Sequence, residues 1–270
     1  MVEWLVTAVV GFLQGLLEWL PVSSEGSVAL ALTLLGTDPA VATRFALFLH
    51  AGTALAAAVY YRDVLADVLR TVPDWRPGSA FDGQNGDLSF FAIATLVSGV
   101  VGVGGYLALA DLASAAAGGT FVALIGALLL GTGLFMRFAQ RRAGELRDRP
   151  DAVDAVLVGV LQGLAVLPGV SRSGTTVGAL LLRGHEGENA LSLSFVLSIP
   201  AALGAGLLVV LDEGVPAVGG GQATLALAVS AIVGYLTVGA LVRLVGRVAF
   251  WQVCVGFGAL AVLGGGVLLL

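Results

Sequence analysis

Two short polar clusters carry most of the chemistry available to this chain: QGLLEWLPVSSEGS, residues 14–27, and PGVSRSGTT, residues 168–176. The first places Gln14, Glu18, Ser23, Ser24, Glu25 and Ser27 around Pro21. An ionised carboxylate at membrane depth costs at least a few kcal/mol, so Glu18 is predicted to face the protein interior with a partner. Gln14 stands four residues earlier, on the same helical face. In the second cluster Gly169 and Gly174 let backbone approach a ligand closely, while Ser171, Ser173, Thr175 and Thr176 surround Arg172. A helix restarting near Thr176 would aim backbone N–H groups and a positive dipole end at the cluster, and arginine adds a planar fork suited to phosphate oxygens. Together these make an oxyanion cradle. Blander readings stand beside this one. Glu18 or Glu25 could reach the interface from a helix end, Ser171 could merely cap a helix, and Arg172 could serve as a packing ion pair. No GK[ST] phosphate loop and no HExxH pair occurs, and the two histidines are isolated. His185, in RGHEGE, reads as solvated. His50, in FALFLHAGTALAA, needs a hydrogen-bond partner and reads as structural.

The elements that must position these clusters are helices in a membrane. Of 270 residues 58% are hydrophobic and 11% charged, against about 25% charged in a soluble domain. Apolar stretches of about 20 residues, enough to cross about 30 Å of hydrocarbon, recur along the whole length and leave no room for a soluble domain. The fold class is therefore all-α, a polytopic protein of the cell membrane with membrane lipids as its surroundings. Spans are predicted at 41–61, 88–110, 117–137, 189–211, 221–242 and 248–270, six in all. The first hydrophobic stretch lacks a positive n-region and is predicted to be retained. Cys254, the one cysteine, makes neither a disulfide nor a metal site. All 13 basic residues are arginine against 18 acidic residues. That balance speaks against nucleic acid as a partner and fits the GC-rich genome of a high-salt archaeon or an actinobacterium.

Two further apolar segments, 1–35 and 153–183, are each broken by a Pro, Gly and Ser cluster, and they match at a shift of 148 residues. Gly11, Leu13, Gln14, Gly15, Leu16, Val22, Ser23 and Gly26 fall on Gly159, Leu161, Gln162, Gly163, Leu164, Val170, Ser171 and Gly174, eight identities in 16 positions. Three unbroken spans follow each broken segment, and an odd number of crossings inverts the second copy. The chain is thus predicted to be one membrane domain, 1–270, made of a first repeat (1–140) and a second, inverted repeat (150–270). Paired broken segments point to a site near the bilayer midplane, where irregular backbone survives only inside protein or against a wet cavity. We read both as re-entrant helix-turn-helix hairpins whose tips meet. This topology puts eleven arginines on one face, leaving Arg44 on the other and Arg172 in a tip. The arginine-rich face is then cytoplasmic and both termini lie outside.

A carboxylate opposite an arginine-and-hydroxyl cradle suits hydrolysis of a phosphate anhydride, with charge on the transferred phosphoryl neutralised and a base or nucleophile attacking in line. A site inside lipid implies a substrate with a lipid tail. On the two motifs LPVSS.G and PG.SRSG.T the chain resembles the undecaprenyl-diphosphate phosphatase family, the bacitracin-resistance type of membrane phosphatase. The resemblance covers the whole chain. It implies removal of the terminal phosphate from a polyprenyl diphosphate, undecaprenyl or dolichyl-like, to recycle the lipid carrier of cell-envelope glycan synthesis. It further implies a divalent cation, Mg²⁺ or Ca²⁺, and two re-entrant hairpins. By the resemblance Glu18 is the catalytic carboxylate or a metal ligand, Ser24 a nucleophile or substrate ligand, and Arg172 a catalytic residue. Gln14, Ser23, Ser27, Ser171, Ser173, Gly174, Thr175 and Thr176 become substrate contacts. Gln14 stands where many members have a glutamate, and Ser27 where a histidine is typical; Glu25, His50, or water with metal are the replacements for that histidine. A homodimer is left open. The rival class is transport, since broken helices in inverted repeats also build transporters; a flippase for polyprenyl phosphate or a small-anion carrier needs the cradle but not a carboxylate facing it.

Overall fold

The computed structural model describes residues 2–83, 85–115, 118–141, 147–214, 220–245 and 249–269. Arg142 and Arg247, two of the arginines used to orient the chain, lie outside them. Apart from one isolated bridge between Arg147 and His185, the described residues are helices and turns.

The first broken segment forms α1 (Val2–Leu17) and α2 (Ser24–Leu34), and the second forms α7 (Ala152–Leu164) and α8 (Arg172–Leu182). Between them come α3 (Pro39–Tyr60), α4 (Arg62–Arg70), two short 3-10 turns (Val72–Asp74 and Pro77–Ser79), α5 (Asn85–Ala115) and α6 (Gly119–Arg141). The chain closes with α9 (Gly187–Glu213), α10 (Gly220–Val245) and α11 (Phe250–Val267). Five of these are long and apolar enough to cross a membrane: α3, α5, α6, α9 and α10. The segment expected as the sixth span, 248–270, contains the apolar helix α11, Phe250–Val267.

Hydropathy alone cannot say which spans are central, but burial can. The most apolar windows of α3 and α9 are 67% and 56% buried, those of α5 and α10 only 22% and 28%. So α3 and α9 pack together at the centre, with α1 against α10, α7 against α5 and α6 against α11 around them. The glycines shared by the two broken segments explain the close pairings. A Cβ at Gly11 or Gly15 would lie 2.5 or 2.6 Å from the carbonyl oxygens of Ala226 and Ser230 on α10. At Gly159 and Gly163 it would lie 2.8 Å from Ala94 O and 2.6 Å from Val101 Cβ on α5. Such small-xxx-small pairs let helix backbones approach where no water drives association.

The base of α7 and α8 is tied by charge. Asp151 and Asp154 form a capping box at the start of α7. Arg183 donates from Nε to Asp154 (2.6 Å) and from Nη2 to Asp151 (2.7 Å), and Arg147 donates to Asp151 (2.6 Å). Burial opposes ionisation of Asp151. The Asp154 backbone N–H and Arg147 and Arg183 outweigh it and hold the carboxyl below its ordinary range. His185 corrects an expectation here: it is 3% exposed, with Nε2 3.0 Å from Asp154 Oδ2. A polar local run reads as solvated in one dimension, but the acidic partner comes from a helix 31 residues away.

Candidate active site

Pro21 lacks the N–H that would continue α1, and Ser23 sits at φ 57°, the one non-glycine at positive φ among the described residues. There it caps α2, its hydroxyl accepting from Gly26 N at 3.2 Å. The same hydroxyl accepts from Gly169 N, at 3.1 Å, in the second tip. The tips therefore touch through the Ser23 hydroxyl and the Gly169 backbone. A Cβ at Gly26 would stand 2.8 Å from Gly169 N, and one at Gly169 would stand 2.5 Å from Ile125 O. Cys254, buried and unpaired, donates to Pro21 O and ties α11 to the first tip. The second helix restarts at Arg172, four residues before the expected Thr176, with Ser171 as its cap.

Glu18, 5% exposed, lies at the centre. Its Oε1 accepts from Arg172 Nη2 at 2.5 Å. Its Oε2 accepts from Gln14 Nε2 (2.9 Å) and Ser24 Oγ (2.8 Å) and lies 3.4 Å from His50 Nε2. A buried carboxylate is stable only when such partners replace its water. Arg172 is held from α9: Nη1 donates to Ser194 O at 3.3 Å, and the guanidinium stands over the Phe195 ring, 5.7 Å from its centroid.

The sequence-predicted residues divide by where their hydroxyls go. Ser23, Ser24, Glu25, Ser171, Arg172 and Ser173 line a small cavity with Glu18 and His50. Gln14, fully buried, lies behind Glu18. Ser27 donates to Ser23 O (2.9 Å). Thr175 donates to the carbonyls of Ser171 and Arg172, Thr176 donates to Arg172 O, and Thr176 also bonds the Ser194 hydroxyl. Gly174 packs against Thr132 and Met136 of α6. None of Ser27, Gly174, Thr175 and Thr176 lines this cavity or the larger one beside it. The threonines turn back because a helical hydroxyl readily bonds a carbonyl three or four residues earlier. His50 is the residue sequence reasoning underweighted. The one signal for it was an imidazole in an apolar helix with no polar neighbour in sequence.

A second cavity, about 350 Å³, opens from the same charged groups and runs along α5 from Thr95 to Tyr106 and along α9 from Ser198 to Leu211. At 1.5 Å per residue that is about 20 Å of helix. Val103, Leu207, Leu208 and Leu211 line much of it. Tyr106 donates to Asp212 at 3.1 Å beyond its far end. One end thus offers a cation, carboxylates and hydroxyls, and the other an apolar wall, which matches a molecule with an anionic head and a hydrocarbon tail.

A hard cation takes oxygen ligands, and Mg²⁺ commonly needs only one or two carboxylates when substrate phosphates complete its shell. Among the described residues no group of three or more His, Cys, Asp and Glu forms a complete protein cage. Glu25 faces both cavities, and its buried Oε1 has no hydrogen-bond partner. That orphaned oxygen beside Glu18 fits a cation shared with a bound phosphate.

A buried carboxylate, serine and arginine gathered on one cavity among helices long and apolar enough to cross a membrane define the class of protein: a multi-pass membrane protein with a polar interior site. The chain belongs to a particular family within that class: the model of the family described as bacitracin resistance protein BacA matches residues 7–262. It is 58% identical over 264 residues, covering 97% of each chain, to a protein of Haloarcula marismortui named undecaprenyl-diphosphatase. It is 36% identical over 261 residues to one of Methanococcoides burtonii with that name (94% of this chain, 96% of the relative). With another such protein, from Methanopyrus kandleri, it shares 40% over 273 residues (97% and 96%). All three come from archaea, in keeping with the lysine-free, acidic composition.

Proposed function

We propose that this protein is a polyprenyl-diphosphate phosphatase, hydrolysing the terminal phosphate of an undecaprenyl-type or dolichyl-like diphosphate to the monophosphate and so recycling a lipid carrier. The observation that carries the mechanism is the 2.8 Å bond from Ser24 Oγ to Glu18 Oε2, a nucleophile within hydrogen-bond reach of its base. Gln14 and Arg172 hold the carboxylate in place. Arg172 exchanges one contact with Glu18 for the phosphoryl oxygens, and the start of α8 adds its dipole. Ser24 attacks phosphorus in line, its proton passes to Glu18, and the bond to the bridging oxygen breaks. Water then frees phosphate from the serine. Ser23, Ser171 and Ser173 line the pocket for the diphosphate, while Ser27, Gly174, Thr175 and Thr176 support its tips. Both Glu18 oxygens already accept, so of the two roles open to it we assign the base. Glu25, with substrate phosphate oxygens, would hold Mg²⁺ or Ca²⁺, which when bound supplies further positive charge against the phosphoryl group.

The prenyl chain lies in the cavity between α5 and α9. Re-entrant hairpins at both tips, six crossings counting α11, inverted halves 1–140 and 150–270, and a cytoplasmic arginine face with both termini outside complete the reading. It is supported by α2 and α8, whose starts (Ser24, Arg172) and ends (Leu34, Leu182) are each 148 residues apart. The matching pairs α1 with α10 and α7 with α5 support it as well. The test is phosphate release by purified protein from farnesyl and undecaprenyl diphosphate, with Mg²⁺ or Ca²⁺ and with chelator. Release in the metal-loaded buffer is expected. No release in either buffer overturns the reading, and lipid-phosphate flux in liposomes without release replaces it with transport.

A further inference from the structure

The phosphatase chemistry leaves a proton to be accounted for. Once Ser24 has given its hydrogen to Glu18, the departing phosphate oxygen needs one and Glu18 must be emptied before water can be used. Among the described residues on the two cavity walls the ionisable groups are Glu18, Glu25, His50, Arg172 and Tyr106. Arginine does not release its protons in proteins. Tyr106 is bound to Asp212 beyond the far end of the large cavity. His185 lies at the base of α8, against Asp154. Ser27 is turned away, its hydroxyl on Ser23 O.

His50 has the geometry. It projects from the central helix α3 into both cavities. Its Nδ1 lies 2.8 Å from Ala46 O, and a carbonyl oxygen only accepts, so the hydrogen on that bond belongs to Nδ1. This fixes the ring and leaves Nε2 as the working nitrogen. Nε2 stands 3.4 Å from Glu18 Oε2, the same oxygen that accepts from Ser24. That places Nε2 beside the oxygen that would receive the serine proton, close enough for a proton to pass between them.

We infer that His50 is a further catalytic residue, the general acid that delivers a proton from Nε2 to the leaving phosphate and is recharged through Glu18. This rests on the phosphatase reading. In the first step the Ser24 O–H bond breaks and its proton goes to Glu18 Oε2 as the Oγ–P bond forms. The bond from phosphorus to the bridging oxygen breaks, and that oxygen takes the His50 Nε2 proton and leaves on the polyprenyl monophosphate. The proton on Glu18 Oε2 then moves to Nε2, restoring both groups. In the second step a water oxygen bonds phosphorus, its proton goes to Glu18, and the Oγ–P bond breaks with that proton returning to Ser24.

The experiment compares full-length wild type, His50→Gln and His50→Ala in detergent on farnesyl diphosphate, with and without added imidazole. Thermal melts check that each variant is folded. Expected is a fall in kcat of about 100-fold with KM within about threefold of wild type. Imidazole should restore about tenfold of the loss in His50→Ala and none in Ser24→Ala. A kcat within threefold of wild type overturns the inference. So does a fall in a folded His50→Ala that imidazole leaves unchanged, which would make His50 a packing residue. An inactive wild type is a different result, since it refutes the phosphatase reading itself.

Discussion

Replacing Arg172 separates the two roles its side chain plays. The guanidinium donates to Glu18 Oε1 at 2.5 Å and to Ser194 O at 3.3 Å over the Phe195 ring. Arg172→Ala leaves Glu18 with a bare oxygen in a site where both side chains are mostly buried, 16% and 4% exposed. Removing one partner of a buried pair costs about 3–5 kcal/mol of stability, and the loss of a donor aimed at developing charge costs about 10²–10³ in kcat. The two losses are separated by a second variant. Arg172→Lys keeps the charge but not the fork, so an ammonium can reach Glu18 or Ser194 O but cannot span both. It should melt within a few degrees of wild type and retain about 1–10% of kcat/KM, which corresponds to about 1.4–2.7 kcal/mol of transition-state stabilisation. The double variant Arg172→Ala with Glu18→Gln should regain much of the lost melting temperature and none of the activity. The assay is phosphate release over a range of lipid diphosphate concentrations, beside thermal melts of the same preparations. Activity of a folded Arg172→Ala within threefold of wild type would refute the assignment of Arg172 to the phosphoryl group. Full activity in Arg172→Lys would refute the importance of the fork.

Ser24→Ala should lower kcat by at least about 100-fold and abolish any labelled phosphoenzyme trapped by acid quench, whereas retention of the label would move the nucleophile elsewhere. Asp151 has a depressed carboxyl, so its contribution is present above the ordinary aspartate range near pH 4 and fades as pH falls through the lower folded value. Asp151→Asn keeps a capping oxygen but loses the charge facing Arg147 and Arg183. Its melting temperature should therefore change less than that of wild type between pH 5 and 3, and parallel curves would refute the charge account. Gly163→Ala places a methyl 2.6 Å from Val101 Cβ, and overpacking of this kind costs about 1–3 kcal/mol; an unchanged melting temperature would show that α5 yields without cost.

The parts of the site that repeat were legible. Glu18 against Arg172 followed from two matching broken segments, because a duplication fixes where the second tip must lie relative to the first. The meeting of Ser23 with Gly169 follows the same logic. His50 was hidden, since nothing in a periodic apolar helix says which turn faces a distant tip; its bond to Ala46 would look the same in a structural residue. The hydroxyls of Thr175 and Thr176 were credited to the cradle because the helix start was placed four residues late, and once α8 begins at Arg172 they belong to its first turns. His185 was misread for the converse reason, with Asp154 as a buried partner outside its local polar run.

The contacts of Glu18 also order events during synthesis. Gln14, Ser24 and His50, the partners of Oε2, all belong to the first 50 residues, whereas Arg172, the partner of Oε1, follows Glu18 by 154 positions. At about 5–20 residues per second the ribosome delivers that arginine roughly 8–30 s later. The nascent first half must shelter a half-satisfied carboxylate for that interval, and its own glutamine, serine and histidine are the chaperones it carries.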